Sequence, residues 1–441
     1  MNERTDHLLG TQAEAGQSLN RAAQAYVRLC FALEQHLPDY VDSYFGPDSL
    51  KEEGKQGGQT PEQVVEEASS LQAEVEMIGR SGLDEILTGR ALSLAGHLRS
   101  MAAAGQMLVG EKRPFDEESR AIYHAVCPPL PAGELNRSLS RIAILLPGTE
   151  PLAQRMMSFR RQFEVPKEKL ETILRVAIDE ARRRTAERIP LPEGESFSVE
   201  LVTGKPWSGY NWFLGNGRSL IQVNTDLPVE LDLVVLLACH EGYPGHHLLN
   251  LLHERLFYHQ RGWVEHAIWP LFGPDALLAE GSANFGIEVA FPSMAERIAF
   301  EREVLCPLAG IDGAELERYH EILQINARLG YAEVDIARQY LDGQITQEEA
   351  LQRLIEDRLF SRLRAEQELD FFRCYRAYLI SYYLGCDLVR NWVESQGGGP
   401  DQIDRRWQLF HQLLTTPLLP EDLGRVTHTP PQLPGGQQGS K

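Results

Sequence analysis

The 441-residue chain carries 63 acidic against 43 basic residues, a formal net charge of −20. That surplus repels phosphate backbones and anionic lipid, which argues against nucleic acid and membrane surfaces as partners. At 43% apolar and 24% charged, the composition fits a globular protein of two lobes or one large helical body, not a collagen, a coiled coil or a disordered chain.

Apolar side chains recur at helical spacing from about Ser18 to Leu37, which predicts a first amphipathic helix. The segment Pro38–Asp48 is rich in turn formers and aromatics. The polar, glycine-rich run Lys51–Gly58 reads as a surface loop. Helical patterns resume over Pro61–Met77, Leu83–Gln106 and Val165–Arg188. The rhythm then changes. Ser198–Val202 alternates, Ser219–Asn224 is short and apolar, and Tyr210–Leu214 between them runs into a Gly-Asn-Gly turn. A small β-hairpin or sheet is expected there. From Pro228 helices return nearly to the end, with Thr346–Glu349 at capping-box spacing and long patterns over Arg362–Ser395 and Asp401–Leu414. The expected fold is mainly α: an N-terminal helical region over 1–190, a second region over 191–426 holding the small sheet and C-terminal helices, and a disordered Pro/Gly/Gln-rich tail over 427–441.

The six cysteines are scattered without a CxxC pair, the N-terminus lacks the apolar run of a signal peptide, and no apolar stretch is long enough to span a bilayer. A reduced, soluble, cytoplasmic protein is the expectation. Oligomeric state has no sequence signal.

The chemistry concentrates after the apolar segment Leu231–Cys239, which delivers His240 and Glu241 from a buried helix. Gly242-Tyr243-Pro244-Gly245 interrupts that helix, because proline lacks a backbone donor and pushes the preceding residue from α geometry. His246 and His247 follow, and a new helix is expected from Leu248. In an unbroken helix a separation of six turns the side chains apart, and one of seven leaves the Cα atoms about 10.5 Å apart. A bulge at the interruption would bring His246 opposite His240, with His247 the second choice. The plain alternative is that one pair closes a helix and the other opens the next. A zinc site needs a third ligand. Glu280, at the start of Glu280–Glu288 in an otherwise apolar stretch, would complete a His/His/Glu set, with Asn284 on the same helical face to hydrogen-bond a ligand.

These residues resemble the glutamate-zincin (gluzincin) metallopeptidases. The likeness is to a bacterial branch, known as a domain of unknown function, with an H-E-x-x-P-G-H signature and a later E-G-W-A-like segment. The first motif matches at His240, Glu241, Pro244, Gly245 and His246, the second at Glu280, Gly281 and Ala283. Ser381–Gly385 is similar to the branch's S-Y-x-x-G. Ser282 and Asn284 depart from the second motif, and the Pro-Gly-Gln before the last is absent. The resemblance implies a zincin-like core, Zn2+ on His240, His246 and Glu280, and Glu241 as general base toward a peptide or small amide substrate. Tyr382 and Tyr375 are candidate oxyanion donors, and Arg373 or Arg376 could bind a substrate carboxylate. Strand Leu220–Asn224 could pair with an extended peptide, and Trp207, Tyr210 and Trp212 could line its pocket. Two readings stay beside this one: a non-haem iron enzyme, which the same ligands suit, and a non-catalytic protein keeping a relic metal site.

Overall fold

Strand β1 (Val41–Tyr44) ties the N-terminal helices to the rest of the chain by pairing antiparallel with β5 (Ile268–Pro270). The computed structural model describes residues 3–423, and the tail expected over 427–441 lies outside them. The fold is mainly α with two small sheets. Glu3–Glu34, Asp48–Gln56, Pro61–Gly79 and Glu85–Leu108 pack around Tyr26, Phe31, Leu98 and Met101. Each fully buried side chain of this size contributes about 1.5–3 kcal/mol. The Pro61–Gly79 helix opens with a complete capping box between Thr60 and Gln63 and a proline in its first turn.

The run read as a surface loop at Lys51–Gly58 is instead largely helical, within Asp48–Gln56. Its Leu50 and Gly54 are buried against the first helix, where a Cβ on Gly54 would stand 2.5 Å from the carbonyl oxygen of Arg28. The glycine that looked like a breaker is there for close helix contact.

The second sheet has the order β2 (Ser196–Val202), β4 (Arg218–Asn224), β3 (Gly209–Gly215). Asn216 and Gly217 both take positive φ (54° and 68°) and close the β3–β4 hairpin. β4 also pairs parallel with β2, so Leu220–Asn224, expected to offer an edge, is the middle strand. The edge beside the cavity is β3. Ile221 and Val223 join Ile173, Ile178 and Val234 in one core, and Leu248, Leu277, Phe285, Phe372 and Leu384 form another.

The expected Thr346–Glu349 capping box opens the helix Gln347–Asp357. The long pattern Arg362–Ser395 divides into Arg362–Tyr375 and Ile380–Ser395, because Arg376 takes a positive φ of 50° between them. Among the described residues no helix is long and apolar enough to cross a membrane, and all six cysteines are unpaired.

A second buried polar group lies beneath β5. Arg90 makes a bidentate pair with Glu265 (2.6 and 3.0 Å), His97 meets Asp275 at 3.1 Å, and the Nδ1 atoms of His253 and His266 stand 3.4 Å apart. Burial holds both His253 and His266 at a pKa of about 3, against the pull of Asp275. Both are neutral in the folded chain, while an unfolded imidazole titrates near 6.5. Their contribution to stability is complete above about pH 6.5 and falls as the pH drops toward 3, since only the unfolded chain takes up those protons. Burial raises Asp42 and Glu368, which act with the opposite sign between pH 7 and pH 5, so the histidine contribution is read by difference in urea unfolding. Relative to the unaltered chain, His266→Gln should gain up to about 1.4 kcal/mol per pH unit as the pH falls over that range, and an unchanged pH slope would contradict the assignment.

Candidate metal centre

The apolar helix Leu231–Leu237 runs into a widened π turn, Ala238–Gly242, where Tyr243 N–H donates five residues back to Ala238 O at 3.1 Å. Tyr243 is extended (φ −124°, ψ 127°) and precedes a cis Pro244. Gly245 N–H then donates to Cys239 O at 2.9 Å, folding the chain back over the helix end. A Cβ on Gly245 would lie 2.0 Å from the carbonyl oxygen of His240, so only glycine fits. The next helix, His246–Leu252, starts two residues before the expected Leu248. The outcome is that His246 Nε2 stands 3.1 Å from His240 Nε2, six residues away in sequence.

Glu280 lies inside the helix Asp275–Ala290, within the apolar stretch. Its Oε2 is 3.1 Å from His240 Nε2, and its Oε1 is 3.6 Å from His246 Nε2. That helix crosses Ile380–Ser395 in near backbone contact. A Cβ on Gly281 would meet Gly385 O at 2.3 Å, and one on Gly385 would meet Leu277 O at 2.4 Å. The crossing brings Tyr378 over the acid, and its hydroxyl donates to Glu280 Oε1 at 2.7 Å.

Asn284 settles the protonation of His240. Its Nδ2 donates to Tyr382 O at 3.0 Å, so its Oδ1 faces His240 Nδ1, also at 3.0 Å. Nδ1 therefore carries a proton, and in the neutral ring Nε2 presents its lone pair inward. Although Glu280 Oε2 lies beside that nitrogen, it has no donor, and it is a buried oxygen without a hydrogen-bond partner among the described residues. Such an orphan is costly unless a cation serves it. Donor atoms around a tetrahedral zinc, each about 2.0–2.1 Å from the metal, lie about 3.3 Å from one another. The His240–His246 separation and the His240–Glu280 Oε2 separation, both 3.1 Å, are close to that spacing. Glu241 also comes within 4.8 Å of the two histidines, and two carboxylates thus compete for the third place. Glu280 is pinned by Tyr378, whereas no described side chain hydrogen-bonds the Glu241 carboxylate.

Burial resists ionisation of Glu280, but His246 and His240 hold its carboxyl far below the usual range. His246, despite burial, is raised to about 9 by Glu280, Glu241 and Asp42. Burial pushes Glu241 upward against the two histidines. The same effect raises Asp42 to about 7, with Glu280 and Glu241 adding to it and His246 opposing it.

The cavity above these residues measures about 600 Å³. Tyr375, Tyr382, Trp207, Tyr210 and Trp212 all line it, and Tyr382 lies nearly parallel to the His240 ring (centroids 6.4 Å, 21°). Other expectations fail. His247 is fully buried and turned away, with Nδ1 on Ser219 Oγ (2.7 Å) and Nε2 on Glu195 Oε2 (3.1 Å). Glu195 is further held by Tyr243 and Arg182, so His247 belongs to a bracing network behind the interruption. Arg373 is engaged by Asp370 and Tyr340, and Arg376 by Glu118 at 2.7 Å. Neither lines the cavity. Glu288 pairs with Arg390 away from the site.

Three residues here have no role in the sequence reading. Tyr378 follows Tyr375 by three residues and precedes Tyr382 by four, a helical spacing present in the sequence although the helix breaks at Arg376. Asn211 donates from β3 to the carbonyl of Glu241 at 2.6 Å, and Asp42 reaches the cavity from β1. For these two no local signal exists, because the contacts span about 30 and 200 residues.

No family model matches the chain, and no curated protein matches it. Solved structures do resemble it. A candidate lipoprotein from Colwellia psychrerythraea aligns with a TM-score of 0.53 at 14% identity, over 82% of this chain and 68% of that one. A candidate lipoprotein of unknown function from Shewanella oneidensis aligns at 0.42 and 14%, over 83% and 76%. An M32 carboxypeptidase from Deinococcus radiodurans aligns at 0.35 and 13%, over 94% of each chain. The first of these likenesses is one of fold alone.

Asn284→Ala should leave the fold intact and weaken affinity for added zinc by about 10–100-fold, read by competition with a chelator. An unaltered affinity would mean that His240 is oriented by something else.

Proposed function

We propose that the protein is a zinc-dependent hydrolase of the metallopeptidase type, with His240, His246 and Glu280 as ligands and Glu241 as general base. The observation that carries this reading is the convergence of His240 Nε2 and His246 Nε2, 3.1 Å apart, on the Glu280 carboxylate, whose Oε2 is 3.1 Å from the first and Oε1 3.6 Å from the second, with an unpinned carboxylate beside them. The resemblance to the gluzincins in the H-E-x-x-P-G-H and E-G segments supports the same assignment.

A bound zinc supplies Lewis acidity toward a water and a substrate carbonyl. The residues of the chain do the rest. Glu241, its basicity raised by burial, takes the water proton and returns it to the leaving amine. Tyr382 and Tyr375 face the cavity, and burial raises both phenols, so they stay protonated and can donate to a developing oxyanion. Tyr378 is committed to Glu280 and acts as a positioning residue. β3 pairs on one side only among the described residues, and its other edge can hold an extended peptide. Gly209 on that strand keeps the approach to the base open, since a Cβ there would lie 2.9 Å from Glu241 Oε1.

Protein purified without added metal should contain one zinc per chain. Glu241→Gln should keep the zinc and lose about 10²–10⁴-fold in peptide hydrolysis. His246→Ala should lose the metal and His247→Ala should keep it. Zinc retained in His246→Ala, or iron as the native metal, would defeat the proposal.

A further inference from the structure

We infer that Asp42 is the subsite for the positively charged α-amine of the substrate, which makes the enzyme an exopeptidase acting on free N-termini. This rests on the metallopeptidase reading above and specifies its substrate. The register of β1 on β5 pairs Val41 with Pro270 and Ser43 with Trp269, leaving Asp42 as the extra residue of a bulge. Bulges re-aim a side chain out of the regular alternation. Asp42 lines the cavity with His240, Glu241, His246 and Glu280.

Several buried acids away from the cavity have arginine partners. Glu118 holds Arg376, Glu333 holds Arg358, Glu265 holds Arg90, and Glu195 holds Arg182. Asp42 has neither a hydrogen bond nor an ion pair from any described side chain. A half-buried carboxylate at the cavity wall, left this way, is open to a cation from outside the chain. The cavity does not supply one. Among its lining residues Lys205 alone is a lysine or arginine, and it is exposed at the rim with its ammonium 5.9 Å from the Trp207 ring centroid.

Charge balance points the same way. Zinc would bring two positive charges against Glu280, Glu241 and Asp42, with the exposed Asp39 a fourth carboxylate lining the cavity, so a cationic group on the substrate neutralises part of the remainder. Reach selects which cation. An α-amine is two bonds, about 2.5 Å, from the carbonyl carbon under attack. It must therefore sit close to the metal ligands, and Asp42 lines the same cavity as they do. A lysine or arginine side chain would carry its charge well beyond that reach.

The test uses the zinc-loaded full chain with trialanine, N-acetyl-trialanine, trialanine amide and N-acetyl-lysyl-alanyl-alanine. The free-amine peptide should be cleaved with a kcat/KM about 10–100-fold above its acetylated form, the size of a lost charge-assisted hydrogen bond. Amidation of the C-terminus should matter little. Asp42→Asn should remove the discrimination mainly through KM, with Asp42→Glu restoring part of it, and zinc content should stay at one per chain in both. Equal rates on free and acetylated peptides would overturn the inference while leaving the hydrolase reading intact. So would preference for the N-acetyl-lysyl peptide, or loss of zinc from Asp42→Asn. If no peptide is cleaved, the hydrolase reading fails, and calorimetry with leucinamide and N-acetyl-leucinamide decides the subsite separately. Binding of leucinamide alone, lost in Asp42→Asn, would support it, and no binding would overturn it.

Discussion

Two imidazole nitrogens and a carboxylate crowd the floor of the cavity, within 3.1–3.6 Å of one another. His240 Nδ1–H donates to Asn284 Oδ1, and Glu280 Oε2 is buried without a hydrogen-bond partner among the described residues. Lone pairs turned toward one another repel unless a cation lies between them. The surrounding structure is therefore organised to hold an arrangement that is unfavourable by itself. Nothing in the local chain would choose it.

What holds it is backbone proximity. The π turn and Gly245 fold the chain back so that His246 meets His240, and the Gly281–Gly385 crossing sets the acid and Tyr378 against each other. Both devices use glycine where a Cβ would fall inside a neighbouring carbonyl. The network of His247, Glu195, Tyr243 and Ser219 braces the far side of the interruption. His247 thus serves the site from behind, through packing and hydrogen bonds.

The polarity of the cavity separates its parts by function. Its floor is anionic and shielded, its β3 wall is aromatic, with Trp207, Tyr210 and Trp212 in tilted contact, and its rim carries Lys205. A peptide lying along β3 would present its backbone to the strand and its side chains to that wall. The arginines that looked available in sequence, Arg373 and Arg376, are neutralised by Asp370 and Glu118. Charge pairing inside the fold has removed them from the list of substrate contacts.

Short-range signals carried much of this protein. Helical periodicity, the Thr346–Glu349 capping box, the Gly-Asn-Gly turn and the proline-broken histidine helix are each decided within a few residues, and the helical class and the set of candidate ligands were legible from them. Asn284 was legible too, since one helix turn relates it to Glu280. Tertiary structure alone decided the rest. It placed β4 between β2 and β3, turned His247 toward Glu195, made Lys51–Gln56 helical against Phe31, and carried Asp42 across about 200 residues to the histidines. The physical reason is common to all four: each depends on which side chain or strand from a distant segment occupies the neighbouring space, and spacing along the chain does not record that.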